Sequence, residues 1–218
     1  ERISSGLWQK LAATTNRLAK NWQKKDDGLW EVRGGNPPFL YSRLMCWVAF
    51  DRAIKIGSRH SYPFPESWPA VQNEMFNSIH HDFWNEELQS FVQYNGAKTV
   101  DASTLMMPII GFIGPKDPKW LSTLKCLEEK LTDDFLVYRY HDESGFDGLK
   151  GREGTFSMST FWFIECLSMA GQLEKARLYF EKMLGYANHL GVYAEQLGPS
   201  GEHLGNYPQA LTHLGLIS

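Results

Sequence analysis

Glu31 and Glu195 are far apart in the sequence, yet each lies in a long stretch that mixes glycine with aromatic residues. The first stretch reads Asp26-Asp27-Gly28-Leu29-Trp30-Glu31-Val32-Arg33-Gly34-Gly35. A carboxyl against an indole face loses water, which raises its pKa and suits it to donate a proton near neutrality. Arg33 acts in the opposite sense, and the plainer alternative is that Glu31 only pairs with Arg33 at a rim. The second stretch reads Tyr193-Ala194-Glu195-Gln196-Leu197-Gly198-Pro199-Ser200-Gly201-Glu202. Glu195 follows a strongly amphipathic segment, so it should be anchored at a helix end, whereas Glu202 sits in a turn and should be solvated. Two anchored carboxyls are what glycoside hydrolysis needs, one to protonate the leaving oxygen and one to activate water or attack. Aromatic rings suit the same task, because they stack on the apolar faces of pyranose rings.

A third polar stretch carries Arg139-Tyr140-His141-Asp142 and then Asp147 to Phe156. Arg139 can donate paired hydrogen bonds to vicinal sugar hydroxyls or simply hold an acidic neighbour. Glu153 is a rival carboxylate whose place before a helix start suits an electrostatic role there. Other constellations carry less. Adjacent side chains in His80-His81-Asp82 point apart on a helix end, so no metal site is expected. His213 reads as a hydrogen-bonded core or rim histidine, and Met106-Met107 as core packing. The glycines between 145 and 154 lack the preceding strand of a phosphate-binding loop.

The elements that must position these groups are helical. Apolar spacing predicts helices over about 5–24, 39–56, 65–79, 101–112, 118–131, 156–169, 172–190 and 207–217. In the first, Leu7, Leu11, Leu18 and Trp22 make one apolar stripe interrupted by Thr15. Pro65 fits a first turn, Asp101 a cap, and Pro108 should kink the fourth helix. Residues 88–94 alternate weakly and read as a short strand. Trp22, Trp47, Trp68 and Trp162 are core candidates. The class is therefore all-α, with long irregular connections at 25–38, 132–155 and 191–206. Such connections in a helical domain usually carry function.

Composition narrows the field. A chain of 218 residues fits one domain or a large piece of one. With 43% hydrophobic and 22% charged residues it is not disordered. A net charge of −3 argues against nucleic acid as a partner. The longest apolar run, 105–113, falls well short of the ~18 to 20 residues of a membrane span, so no membrane role is expected. Cys46, Cys126 and Cys166 read as buried reduced thiols, which favours a cytoplasmic setting.

Several motifs, taken together and in order, resemble the bacterial branch of glycoside hydrolase family 15, which contains glucoamylases, glucodextranases and some trehalases. They are Gly28 to Gly35, Tyr41-Ser42-Arg43-Leu44-Met45-Cys46-Trp47-Val48-Ala49-Phe50-Asp51-Arg52-Ala53, Arg139-Tyr140, Gly151 to Phe156, Ala194-Glu195-Gln196 and Gly205-Asn206-Tyr207-Pro208-Gln209-Ala210-Leu211-Thr212-His213. The resemblance implies an (α/α)6 barrel with the active site at one open end, and an inverting mechanism. It makes Glu31 the general acid and Glu195 the general base. It places Trp30 and the Leu29 backbone at the subsite for the terminal sugar, with Arg139 on that sugar's hydroxyls and Gln209 near substrate. Arg33 and Tyr140, carried in the same motifs, complete the substrate-binding set. Val32 stands where fungal glucoamylases have a second glutamate, so their sugar preference does not transfer.

About eight helices, where such a barrel has twelve, imply an incomplete barrel corresponding to the C-terminal part of the catalytic domain. The N-terminal helices and any β-sandwich would be absent, and these residues alone are expected to be poorly active. The resemblance favours glucoamylase-like release of glucose from the non-reducing end of α-glucans, with trehalase the runner-up. It implies no cofactor, except that phosphate and magnesium would enter for a trehalase, and an α-glucan or disaccharide as partner. The competing classes are a non-catalytic helical binding scaffold and an inactive glucan-binding fragment. A scaffold of repeats would show a fixed period, which is missing.

Overall fold

A computed structural model describes residues 3–32, 37–141 and 153–218. Among these, helices dominate, and the strands come only in two-residue pieces.

Helix α1, Ser5–Ala19, starts where Ser4 accepts a hydrogen bond from the Leu7 amide at 3.2 Å. It is shorter than its sequence pattern suggests and buries a different face. Leu7 and Leu11 are 47% and 38% exposed, while Trp8 and Thr15 are buried. Thr15 tolerates this because its hydroxyl donates to the Leu11 carbonyl at 2.9 Å. Trp8 stacks on Tyr62, and the Trp68 indole donates to Asn16, which ties α1 to the next helices.

Helices α2, Leu40–His60, and α3, Ser67–Asp82, pack on each other around Leu40, Leu44, Phe50, Trp68, Met75 and Ile79, all essentially inaccessible to solvent. The expected core tryptophans 22, 47 and 68 are buried, and Trp162 is half-buried. Pro65 lies just before α3 and not in its first turn. A hairpin of β1, Trp84–Asn85, and β2, Ser90–Phe91, follows; only β2 lies within the expected 88–94, and its partner β1 precedes that region. The Phe91 amide donates to the Thr123 hydroxyl at 3.1 Å.

Pro108 does more than kink the fourth helix. The segment splits into a 3-10 turn, Ala102–Leu105, and a single α-turn, α4, Met106–Ile109. Helix α5, Pro118–Leu131, begins with Asp117 as cap and proline in its first turn. Strands β3, Thr132–Asp133, and β4, Leu136–Val137, form a second hairpin.

Helix α6, Ser157–Met169, is buried around most of its circumference, as expected of a helix inside a packed assembly of others. Helices α7, Leu173–Leu184, and α8, Ala210–Ile217, both lie against it. Leu211, Leu214 and Ile217 of α8 keep an apolar face open to solvent. Just before α6, strand β5, Thr155–Phe156, pairs antiparallel with β6, Gln196–Leu197, and β6 with β7, His203–Leu204. The register sets Phe156 opposite Gln196. This small sheet brings the third long connection back against the second.

Candidate active site

The loop carrying Glu31 is tied down on both sides. Asp26 accepts from the Gly28 amide at 3.0 Å and from the Ser42 hydroxyl at 2.7 Å, fixing the loop to α2. Gly28 has φ 70°, and a β-carbon there would lie 2.9 Å from the Phe39 ring, so glycine is needed twice over. Beyond it, the Val32 amide donates to the Asp27 carbonyl at 3.0 Å and the Val32 side chain is buried. Between these anchors Glu31 has φ 51°, in the left-handed region that costs a non-glycine residue about 1–2 kcal/mol. Its side chain is exposed among the described residues, so the burial expected from the neighbouring indole is not found in this chain. Arg33 lies outside the described residues.

Trp30 directs its indole N–H to Asp101, donating to Oδ2 at 2.7 Å. Its ring meets Phe156 edge-on at 5.7 Å and Tyr140 at 6.3 Å. The Arg139 guanidinium carbon lies 5.4 Å from the Trp30 ring centre, 5.3 Å from Tyr140 and 5.1 Å from Phe156. Arg139 also forms a two-point ion pair with Glu153, with Nε at 3.1 Å from Oε2 and Nη2 on Oε1. Of the two expectations for Arg139, an acidic neighbour is present, and Glu153 serves the arginine rather than a helix terminus. Leu29, half-buried, precedes Trp30 in the same turn.

Glu195 is held differently from the sequence-based expectation. Helix α7 ends at Leu184, well before residue 190, so the anchor is the small sheet and not a helix end. The Glu195 carbonyl accepts from the Ser157 amide at 3.0 Å, and its amide donates to the Asn206 carbonyl at 2.9 Å. Its carboxylate Oε2 accepts from both the backbone amide and the side-chain amide of Asn206, each at 2.9 Å. Both donors belong to Asn206, so Oε2 serves as an acceptor and the side chain is held in place. Glu202 is exposed in its turn, as expected. Gln209 is occupied at the start of α8, where its side-chain oxygen accepts from the Thr212 amide at 3.0 Å.

Phe156 joins the two regions. Trp30, the neighbour of Glu31, packs on its ring, and Gln196, the neighbour of Glu195, is its strand partner. Sequence reasoning missed two participants. Asp101 stands at the N-cap position of the 3-10 turn as read, but its carboxylate is buried and takes the Trp30 indole N–H, and Asn206, within a matched motif, had no role assigned. The run Asp101-Ala102-Ser103-Thr104 looks the same whether the carboxylate caps a helix or receives a distant indole, so nothing local separates the two.

Burial pushes the Asp101 carboxyl up to about 6, against hydrogen bonds from Trp30, Ser103 and Thr104 that favour its ionised form. Burial likewise raises the thiols of Cys46, Cys126 and Cys166. Cys46 is half-buried, not fully so. His213 accepts from the Tyr193 amide and sits 2.7 Å from the Gln209 carbonyl, a structural histidine as expected. Among the described residues no group of three or more His, Cys, Asp or Glu is placed to hold a metal ion. No helix among them is long and apolar enough to cross a membrane.

Solved structures share this architecture. A bacterial glucoamylase complexed with acarbose superposes with TM-score 0.79 at 16% identity, over 97% of this chain and 37% of that one. A Hypocrea jecorina family 15 glucoamylase gives 0.74 at 13% identity, over 97% and 46%. At these identities the likeness establishes the fold, a portion of an (α/α)6 barrel. In sequence, the chain is 40% identical to a trehalase of Thermoplasma volcanium over 218 residues, 99% of this chain and 34% of the relative. It is 38% identical to a trehalase of Mycobacterium tuberculosis over 223 residues, 100% of this chain and 32% of the relative. The chain thus spans about a third of the length of these curated relatives. The family model for glycosyl hydrolases family 15 matches residues 1–218, and the chain belongs to that family.

Proposed function

We propose that these residues carry both catalytic carboxylates of an inverting α-glucosidase acting on α,α-trehalose. Glu31 is the general acid and Glu195 the general base. The observation that supports this most is the pair of anchors around Phe156, which bring the neighbours of both glutamates onto one aromatic residue. In the reaction Glu31 gives its proton to the glycosidic oxygen as the bond to the anomeric carbon breaks. Glu195 takes a proton from a water whose oxygen bonds to that carbon from the opposite face. One glucose leaves with its α configuration intact and the other is released as β. Trp30 and Tyr140 offer ring faces to the sugar. Arg139, steadied by Glu153, offers its remaining donors to hydroxyls. Leu29 and Gln209 are assigned to the same subsite by the family resemblance, and so is Arg33, which lies outside the described residues. The two carboxylates by themselves supply the acid and the base, and the three thiols suit a reducing cytoplasm.

The choice of trehalose over α-glucan follows from the similar sequences, which are trehalases, whereas the likeness to glucoamylases is one of fold. Glucoamylase-like release of glucose from maltodextrin is the second reading. Release of glucose from trehalose, maltose and isomaltose by the complete gene product, with the product anomers followed by NMR, decides between them. Turnover of trehalose to equal α- and β-glucose supports the first reading. Turnover of maltose alone supports the second, and none on any of the three with intact fold favours a glucan-binding protein.

A further inference from the structure

Asp101 is the buried carboxylate that the mechanism above leaves unused. It is 2% exposed and lies between two parts of the site. Its Oδ2 receives the Trp30 indole N–H at 2.7 Å, short for a nitrogen donor and typical of a charge-assisted bond. Ser103 donates its hydroxyl to within 2.9 Å of Oδ1 and 2.8 Å of Oδ2, and Thr104 reaches Oδ1 at 3.3 Å. The same segment grips the second substrate loop through its backbone: Asp101 bridges Tyr140, and the Ala102 amide donates to the Arg139 carbonyl at 2.8 Å. Glu31 follows Trp30 directly and sits at φ 51°. A strained backbone persists only where its surroundings over-determine it, and here those are buried Val32 on one side and pinned Trp30 on the other.

We propose that Asp101 is a positioning residue for the proton donor: through the Trp30 indole it fixes the left-handed turn that aims Glu31. The inference rests on Glu31 being the general acid. A carboxylate accepts the indole N–H and both hydroxyls at once, whereas an asparagine in its place turns one acceptor into a donor that faces Ser103 or Trp30. Losing the pin lets the turn relax, and a misplaced acid costs rate far more than it costs binding.

The test compares two substrates in the complete gene product: α,α-trehalose, whose leaving group needs a proton, and α-D-glucosyl fluoride, whose leaving group departs without one. Asp101→Asn should lower kcat on trehalose by at least about 10-fold with KM little changed, and leave fluoride hydrolysis within about 3-fold. Equal losses on both substrates, or undiminished trehalose turnover, would overturn the proposal. Glu31→Gln, run alongside, separates the two levels: it should lose trehalose and keep the fluoride. If Glu31→Gln keeps trehalose turnover, the assignment of the acid fails and this inference goes with it. If only Asp101→Asn keeps it, the acid stands and the positioning role is wrong. Where Asp101→Asn does not fold, Ser103→Ala removes the hydroxyl that donates to both Asp101 oxygens and must give a selective loss of the same kind, with trehalose turnover falling and fluoride hydrolysis kept.

Discussion

Asn206 gives two hydrogen bonds to a single oxygen of Glu195, one from its backbone amide and one from its side chain, both at 2.9 Å. The second carboxylate oxygen has no protein hydrogen bond among the described residues. A general base needs this asymmetry: one oxygen fixes the side chain and the other meets water. Asn206→Ala removes one of the two bonds, and kcat should fall about 10-fold with KM nearly unchanged. Asn206→Asp sets a like charge beside the proposed base and should lose more, with part of the loss recovered as pH falls. Steady-state kinetics across pH checks both, and a rise in KM without a fall in kcat would place Asn206 on substrate instead.

Gly205 makes that contact possible. Its φ is 72°, and a β-carbon on it would lie 2.7 Å from Oε2 of Glu195. Gly205→Ala should cost about 1–2 kcal/mol in stability from the backbone alone. The larger effect is on activity, because the displaced atom is the carboxylate itself. Comparing loss of kcat with the shift in denaturation midpoint tests this; activity should fall about 100-fold or more, beyond what the stability change explains.

Strain at Glu31 predicts the reverse pairing. Glu31→Gly relieves a non-glycine residue at φ 51° and should raise unfolding stability by about 1 kcal/mol while turnover of trehalose is lost. A stabilised, inactive variant is the expected result of thermal unfolding and activity assays. A destabilised variant would mean that the Glu31 side chain contributes packing.

Asp101 makes stability depend on pH. Its carboxyl titrates at about 6 in the fold against 3.8 when unperturbed. Between those values the folded protein holds a proton that the unfolded chain has released, so stability falls as pH rises through that window. The loss is about 3 kcal/mol, complete once pH exceeds the folded value. Asp101→Asn cannot titrate and should lack this decline. The stability difference between the two proteins, measured by denaturant unfolding at pH 4 and pH 7, should therefore change by about that amount. A difference independent of pH would show that folding leaves the Asp101 carboxyl unshifted.

Arg139 and Glu153 are partly buried, with side chains 15% and 27% exposed. Glu153→Gln leaves the guanidinium without its counter-charge and should raise KM several-fold by letting it swing from the ring cluster. Arg139→Lys keeps charge but loses the two-point geometry, and KM should rise about 10-fold. Unaltered KM in both variants would confine the pair to a structural role.

The sequence alone determined the helical class, the positions of most helices, and the two stretches in which the glutamates lie. It could do so because helix formation follows local periodicity, and because the matched motifs are contiguous in the chain. Contacts between distant residues are set by packing, which no window of neighbours encodes. So the inward face of α1 passed from the leucines to Trp8 and Thr15, whose hydroxyl found a carbonyl one turn back. Pro108 broke its helix outright, and α7 stopped early, leaving a three-stranded sheet to hold Glu195. Only the tertiary structure gave Trp30 to Asp101, Glu153 to Arg139 and Asn206 to Glu195. A buried carboxylate or amide takes whichever donor or acceptor the fold delivers, and the fold delivers these from 71, 14 and 11 residues away.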